Sequence, residues 1–195
     1  MDPRAERTRN AALKAALALL LQEGPAAVNH ARVAERSGVG RRTMYRHWAT
    51  RRDLLHDTLS GASFPVSDFT GDVTADVRRH LEQLRSALVD GPLAGIVITL
   101  AANNGRDPEL ESLRSRLVEA GCAPLRRILG QRSGSPPGTG HGTEHIELLI
   151  AELEGPLFYC VCIKNEIPSD ALIDDLVDRV LSVTRAPRPD FAHNE

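Results

Sequence analysis

Aromatic side chains are scarce in this chain. Phe, Trp and Tyr make up 4% of 195 residues, so a core drawn from the 42% that is hydrophobic must consist mainly of Leu, Val, Ile and Ala. Cysteine is rarer still. Cys122, Cys160 and Cys162 are an odd number, which excludes a disulfide framework. Long apolar runs are missing as well. The run Ala15–Leu21 falls far short of the roughly 20 residues that span a bilayer, and it lacks the cleavage pattern of a secretion signal. No membrane association is expected, and a cytoplasmic location is. No Gly-rich phosphate loop or nucleophile elbow is present, so no enzymatic activity is expected. The acid pairs Asp174-Asp175 and Glu152-x-Glu154 fall in helical patterns, where carboxylates solvate a face or pair with arginine. His141, His145, Cys160 and Cys162 are residue types that bind metal. Two residues apart on a helix, however, the two cysteines sit about 200° apart around its axis. They cannot face one ion, and neither a metal nor a cofactor is expected.

What is present is unevenly distributed. The net charge is −2, yet residues 1–60 carry +5 and residues 61–195 carry −7. A basic first third joined to an acidic remainder points to one end that meets a polyanion. The hydrophobic spacing reads as all-α throughout. A first helix runs from about Pro3 to Gln22 and stops at Gly24-Pro25. Short helices follow from about His30 to Arg36, capped by Asn29, and from Arg41 to His47. Thr50 and Asp53 then form a capping box that opens another helix toward Gly61. Ser63–Gly71 reads as a linker. Val77, Leu81, Leu84 and Leu88 make one stripe on the next helix. Residues 92–103, apolar on most sides, form a buried helix. Pro108 starts a helix through Leu110, Leu113, Leu117, Leu125 and Ile128. Ser133–Gly142 is a flexible loop. Two helices with wide apolar faces, about Glu144–Lys164 and Asp170–Thr184, precede a polar tail.

The segment Asn29–Trp48 carries the function. Gly38 permits a tight turn between two short helices. Val33, Ala34, Val39, Met44 and Trp48 face inward, and Ala34 is small enough for close crossing. The outward face presents Arg41, Arg42, Thr43, Tyr45 and Arg46. Such a helix suits a DNA major groove, where arginine grips guanine through two parallel hydrogen bonds. Tyr45 and His47 can donate to phosphate oxygens.

With Gly24, Val33-Ala34, Gly38-Val39, Thr43-Met44-Tyr45-Arg46-His47-Trp48 and Thr50-Arg51-Arg52-Asp53-Leu54 in register, residues 7–56 resemble the DNA-binding domain of the TetR (tetracycline-repressor-like) family. Arg106-Asp107-Pro108-Glu109-Leu110 and Gly155-Pro156-Leu157 resemble segments of that family's regulatory domains. Gly40 departs from the family's Ser or Thr, Trp48 from its Phe and Arg51 from its Lys. The resemblance implies a three-helix head over residues 1–62 and a helical ligand-binding and dimerisation domain over 72–186. It implies a ligand-responsive regulator of transcription, more often a repressor, that binds an operator in double-stranded DNA as a homodimer. Its implied DNA-contacting set is Asn29, Gly40, Arg41, Arg42, Thr43, Tyr45, Arg46, His47 and Arg51. The alternative is a helical small-molecule-binding or interaction protein without operator recognition.

The small-molecule effector that the resemblance implies remains unidentified. Apolar walls with isolated polar groups describe a ligand pocket and a satisfied core equally. The candidates are His80, Leu84, Asn103, Arg114, Glu154, Phe158 and Tyr159. For the dimer, Ile146, Leu149, Ile150, Leu153 and Leu157 form one stripe, and Leu172, Leu176 and Val180 lie on another. Both stripes are too wide for a single neighbour, so a second copy pairing as a four-helix bundle is expected to cover them.

Overall fold

The computed structural model describes residues 3–60, 69–103, 107–130 and 140–185, with side chains in the last stretch described over 144–179. Among the described residues the chain is all-α, with nine α-helices and no strand. They are α1 (Pro3–Glu23), α2 (His30–Ser37), α3 (Arg41–His47), α4 (Arg51–Ser60), α5 (Val73–Val89), α6 (Leu93–Ala102), α7 (Pro108–Gly130), α8 (Gly140–Phe158) and α9 (Asp170–Arg185). A 3₁₀ turn over Pro25–Ala27 joins α1 to α2, and a π-helical segment over Tyr159–Lys164 extends α8.

Two compact units are formed, Met1–Pro65 with Ser86–Ala123, and Val66–Arg85 with Pro124–Glu195. The first unit therefore takes in α6 and most of α7 along with the four N-terminal helices. One hydrophobic core explains this. Ala12, Ala16 and Leu20 of α1 join Val33 of α2, Met44 of α3 and Leu54 of α4, and Ile96, Leu100, Leu110 and Leu113 complete the same cluster. A Cβ on Gly95 of α6 would lie 2.8 Å from Leu21 Cδ2, so the missing side chain lets α6 approach α1. The opposite side of α6 is open, with Ile98, Ala101 and Ala102 exposed. The wholly buried helix expected from the composition of residues 92–103 is thus buried on one face only.

Helix ends follow their sequence signals. Asn29 Oδ1 accepts from the Arg32 amide, 3.1 Å away, and Gly38 ends α2 at φ 71°, a left-handed conformation in which a Cβ is strained. Thr50 Oγ1 accepts from the Asp53 amide at 3.1 Å while Asp53 Oδ2 accepts from the Thr50 amide at 2.9 Å, a reciprocal capping box. Hydrogen bonding from the Thr50 hydroxyl and the Thr50 amide holds the Asp53 carboxyl below its ordinary range. Asp107 Oδ1 accepts from the Glu109 amide across Pro108 at 2.9 Å and so caps α7.

In the second unit, Val77, Leu81 and Leu84 of α5, Leu125 and Ile128 of α7, Leu149, Leu153 and Leu157 of α8 and Ile173 and Val177 of α9 are buried. Asp76 is enclosed beside them, receiving the Thr70 hydroxyl at 2.7 Å and the Thr70 and Gly71 amides at 3.1 and 3.0 Å. The acids Asp174 and Asp175 pair with Arg78 and Arg179, as solvated helix carboxylates do. Residues 63–68 of the expected linker, residues 133–139 of the expected loop and the tail after Ala186 lie outside the described residues. Residues 140–142, expected in that loop, belong instead to the first turn of α8.

Candidate nucleic-acid interface

The two sides of α3 differ. Met44 is completely buried and Trp48, which follows the helix, is nearly so, anchoring one side in the core. On the other side Arg41, Arg42 and Arg46 are exposed, and none has an ion-pair partner among the described residues. Other arginines of this unit are engaged. Arg32 and Arg36 reach Glu23, at 2.7 and 4.0 Å, and Arg9 reaches Asp57 at 2.7 Å. Uncompensated positive charge is therefore concentrated on α3.

Tyr45 stands out from this face at 58% exposure and stacks flat on His30, with ring centroids 4.3 Å apart and planes 10° from parallel. His30 is buried, and its Nε2 lies 2.8 Å from the Trp48 carbonyl oxygen. An oxygen of that kind only accepts, so Nε2 carries the proton and donates. One imidazole thus ties the start of α2 to the end of α3 and braces Tyr45. Thr43 is half-buried. His47 lies against Trp48, centroids 5.4 Å apart, and its Nε2 is enclosed with no hydrogen-bond partner among the described residues. A phosphate bond from His47 must use Nδ1 or turn the ring outward. Trp48, in place of the family's Phe, donates its indole N–H to Asp57 Oδ2 at 2.9 Å. Burial pushes the Asp57 carboxyl up, but the Trp48 and Arg9 bonds outweigh it and hold the group below its ordinary range.

Three residues of the expected DNA-contacting set have structural tasks. Asn29 caps α2 with its side-chain oxygen, and Gly40 caps α3 with backbone alone. Arg51 turns its guanidinium inward to the carbonyls of Pro25 and Val28 and to Asp107 and Glu109. His30 and Asp57 were not singled out in the sequence, and Glu109 entered only as part of a segment resembling the family's regulatory domains. Their partners lie far along the chain, and no local spacing marks them.

The candidate ligand residues are divided between the two units. His80 and Glu154 meet in the second unit, with Nε2 3.0 Å from Oε1; His80 is 1% exposed and its Nδ1 has no partner among the described residues. Leu84 is buried in the same unit. Asn103 donates to the Thr99 carbonyl and Arg114 pairs with Glu111, one turn away on its own helix. Phe158 is half-buried and Tyr159 exposed.

The residues of the expected dimer set differ in exposure. Leu149, Ile150, Leu153, Leu157 and Leu176 are buried within a single chain. Ile146 and Leu172 are half-buried, and the Val180 side chain lies outside the described residues. The exposed apolar side chains of this region are Leu148, Tyr159, Ile163 and Ile167.

No single helix among the described residues is long and apolar enough to cross a membrane. Comparison with known proteins agrees with the geometry of the α2–α3 pair. Residues 12–58 match the bacterial regulatory proteins of the tetR family, and residues 67–180 match the tetracyclin repressor-like C-terminal domain. An uncharacterized HTH-type transcriptional regulator of Bacillus subtilis, YdeS, is 30% identical over 90% of this chain and 88% of its own length. The HTH-type transcriptional repressor LfrR of Mycolicibacterium smegmatis is 36% identical over 68% of this chain and 71% of its own. Among solved structures, the TetR family transcription regulator SCO0332 superposes with a TM-score of 0.59 at 26% identity, covering 92% of this chain and 99% of that one. This chain belongs to the TetR family of helix-turn-helix transcriptional regulators.

Proposed function

We propose that the protein is a repressor that holds a palindromic operator as a homodimer and releases it when a small molecule binds its helical domain. The observation that carries the DNA-binding part is the set of arginines on the exposed side of α3, Arg41, Arg42 and Arg46, without ion-pair partners among the described residues, beside the braced ring of Tyr45. Arg42 and its neighbours read base edges, while Tyr45 and His47 hold phosphates. The name of the M. smegmatis relative supports repression.

The head comprises residues 1–62 and the regulatory domain residues 72–186. In the latter, His80, whose Nδ1 has no partner among the described residues, forms with Glu154 and Leu84 the part of the candidate pocket that the geometry favours. The dimer face is the outer stripe of α8 and its π-helical extension, where Leu148, Gly155, Tyr159 and Ile163 follow one another at helical spacing and are exposed. Two heads so joined address half-sites about 34–36 Å apart, or a multiple of that distance. An effector that binds better to another head spacing shifts the population away from DNA in proportion to its preference.

The test is selection of a duplex by the full-length protein from a random-sequence library, followed by titration across a salt series. A palindromic duplex is expected, with affinity falling log-linearly as salt rises. Arg42→Ala should lose about 1–3 kcal/mol of discrimination at one base pair. Tyr45→Ala with His47→Ala should weaken binding to all sequences alike. Failure to select any duplex would favour a helical small-molecule-binding protein without operator recognition.

A further inference from the structure

We propose that Arg51 is a positioning residue that couples the first turn of α7 to the turn preceding the helix-turn-helix, and that it sets operator affinity through this link without touching a phosphate itself. The proposal rests on the DNA-binding reading above.

By position, Arg51 belongs to the basic run Arg51-Arg52 beside the recognition helix, where a phosphate contact is the simple expectation. Its geometry is otherwise. Nη2 donates to the Pro25 carbonyl at 2.9 Å and Nε to the Val28 carbonyl at 3.1 Å. Nη1 donates to Glu109 Oε2 at 2.8 Å and to Asp107 Oδ2 at 3.3 Å. All three nitrogens are engaged, and two carboxylates compensate the charge. Only the planar fork of arginine reaches so many acceptors; lysine, with one nitrogen, cannot.

The partners give the link its meaning. Pro25 opens the 3₁₀ turn and Val28 caps its end, which leads through the Asn29 cap into α2. Asp107 caps α7 with Oδ1 while Oδ2 holds Arg51, so the guanidinium is fixed to the helix terminus and not merely to a mobile side chain. These residues, with Arg51, fall in one compact unit, and α7 itself continues past that unit's limit at Ala123 to Gly130. A displacement of α7 that reaches its first turn must either carry the Pro25–Val28 turn with it or break charge-assisted bonds. Either result changes the setting of α2 and hence of α3. An exposed ion pair alone would carry little. Here two backbone carbonyls of a turn and a helix cap are held by one group, which gives a mechanical connection.

The experiment uses the full chain and the duplex that the wild-type protein selects from a random library. Affinity is measured by fluorescence anisotropy over a salt series for Arg51→Gln, Arg51→Lys, the pair Asp107→Asn with Glu109→Gln, and all three changes Arg51→Gln, Asp107→Asn and Glu109→Gln together. Asn retains a capping oxygen at position 107. Thermal melts identify any variant that does not fold, and hydrogen exchange follows the amides near Val28 and the first turn of α7. The expected result is a loss of affinity of several-fold or more for Arg51→Gln, for Arg51→Lys and for the acid pair. The triple variant should be no worse than either partner alone. The log-log salt slope should stay at the wild-type value, and exchange should quicken at both ends of the link. Arg51→Lys covers the case in which Arg51→Gln fails to fold. A salt slope shallower by about one in Arg51→Gln, with undiminished affinity in the acid pair, would make Arg51 a phosphate contact and overturn the coupling. Wild-type affinity in every variant overturns it too. If the wild-type protein selects no duplex, the DNA-binding reading fails and the coupling with it, whereas the other two adverse results remove the coupling alone.

Discussion

Buried imidazoles do two different things in this chain. His80 meets Glu154 Oε1 through Nε2 and leaves Nδ1 without a hydrogen-bond partner among the described residues, while His30 satisfies the Trp48 carbonyl with Nε2 and supports Tyr45 with its ring face. His30→Ala removes both the bond and the stack. The Trp48 carbonyl then loses its side-chain donor, and Tyr45 regains rotamer freedom that DNA binding must remove again. Ring stacking contributes on the order of 0.5–1.5 kcal/mol, so affinity for any duplex should fall about 2- to 13-fold, with a lower melting temperature. His30→Phe restores the stack without the donor and should recover most of the affinity but not the stability. Anisotropy titration and thermal denaturation separate the two effects. Unchanged affinity in His30→Ala would mean that Tyr45 needs no brace.

At the scale of elements, short helices depend on their ends. α2, α3 and α4 are too brief to persist alone, and they owe their setting to Asn29, Gly38, the Thr50–Asp53 box and the core beneath. α5 is secured differently. Burial pushes the Asp76 carboxyl up, but the Thr70 hydroxyl and the Thr70 and Gly71 amides bond its charged form and outweigh the burial, leaving it below the ordinary range. A group whose folded value is depressed stabilises the fold above its unfolded value of about 4 and loses that contribution as pH falls through the folded value. Asp76→Asn should therefore melt at a lower temperature than wild type at pH 7. The gap should close as the solution is acidified below about pH 4. Melting curves followed by circular dichroism across that range check this, and a gap independent of pH would assign the effect to shape and not to charge.

At the scale of the whole molecule, the proposed dimer depends on which apolar side chains remain uncovered by their own chain. Ile163 and Ile167 are 72% and 73% exposed, and Leu148 is 60% exposed. Exposed aliphatic groups grouped in this manner mark an interaction surface. Leu148→Asp with Ile163→Asp should give a folded monomer by light scattering, with a normal helical spectrum and operator affinity lost. Leu176→Asp should behave differently. Leu176 is buried within the single chain, so an unpaired carboxylate there should unfold the protein before it divides the dimer. A double variant that stays dimeric and binds DNA as wild type does would place the interface elsewhere.

Periodicity, glycine and capping residues determined the helix order and the helix-turn-helix without any tertiary information. Those signals act over one or two turns of chain, and the observed caps of α2 and α4 reproduce them. The inward set Val33, Ala34, Met44 and Trp48 was legible for the same reason, because one face of a short helix must be apolar to be buried. Other features were decided only when distant residues met. Arg51 looks like any basic residue beside a recognition helix until Asp107, Glu109 and two carbonyls surround it. The wide stripe of α8 was readable, but its division was not: Leu149 and Leu153 turn into their own chain while Leu148 turns out. A stripe reports how much surface must be covered, and only packing decides which neighbour covers it.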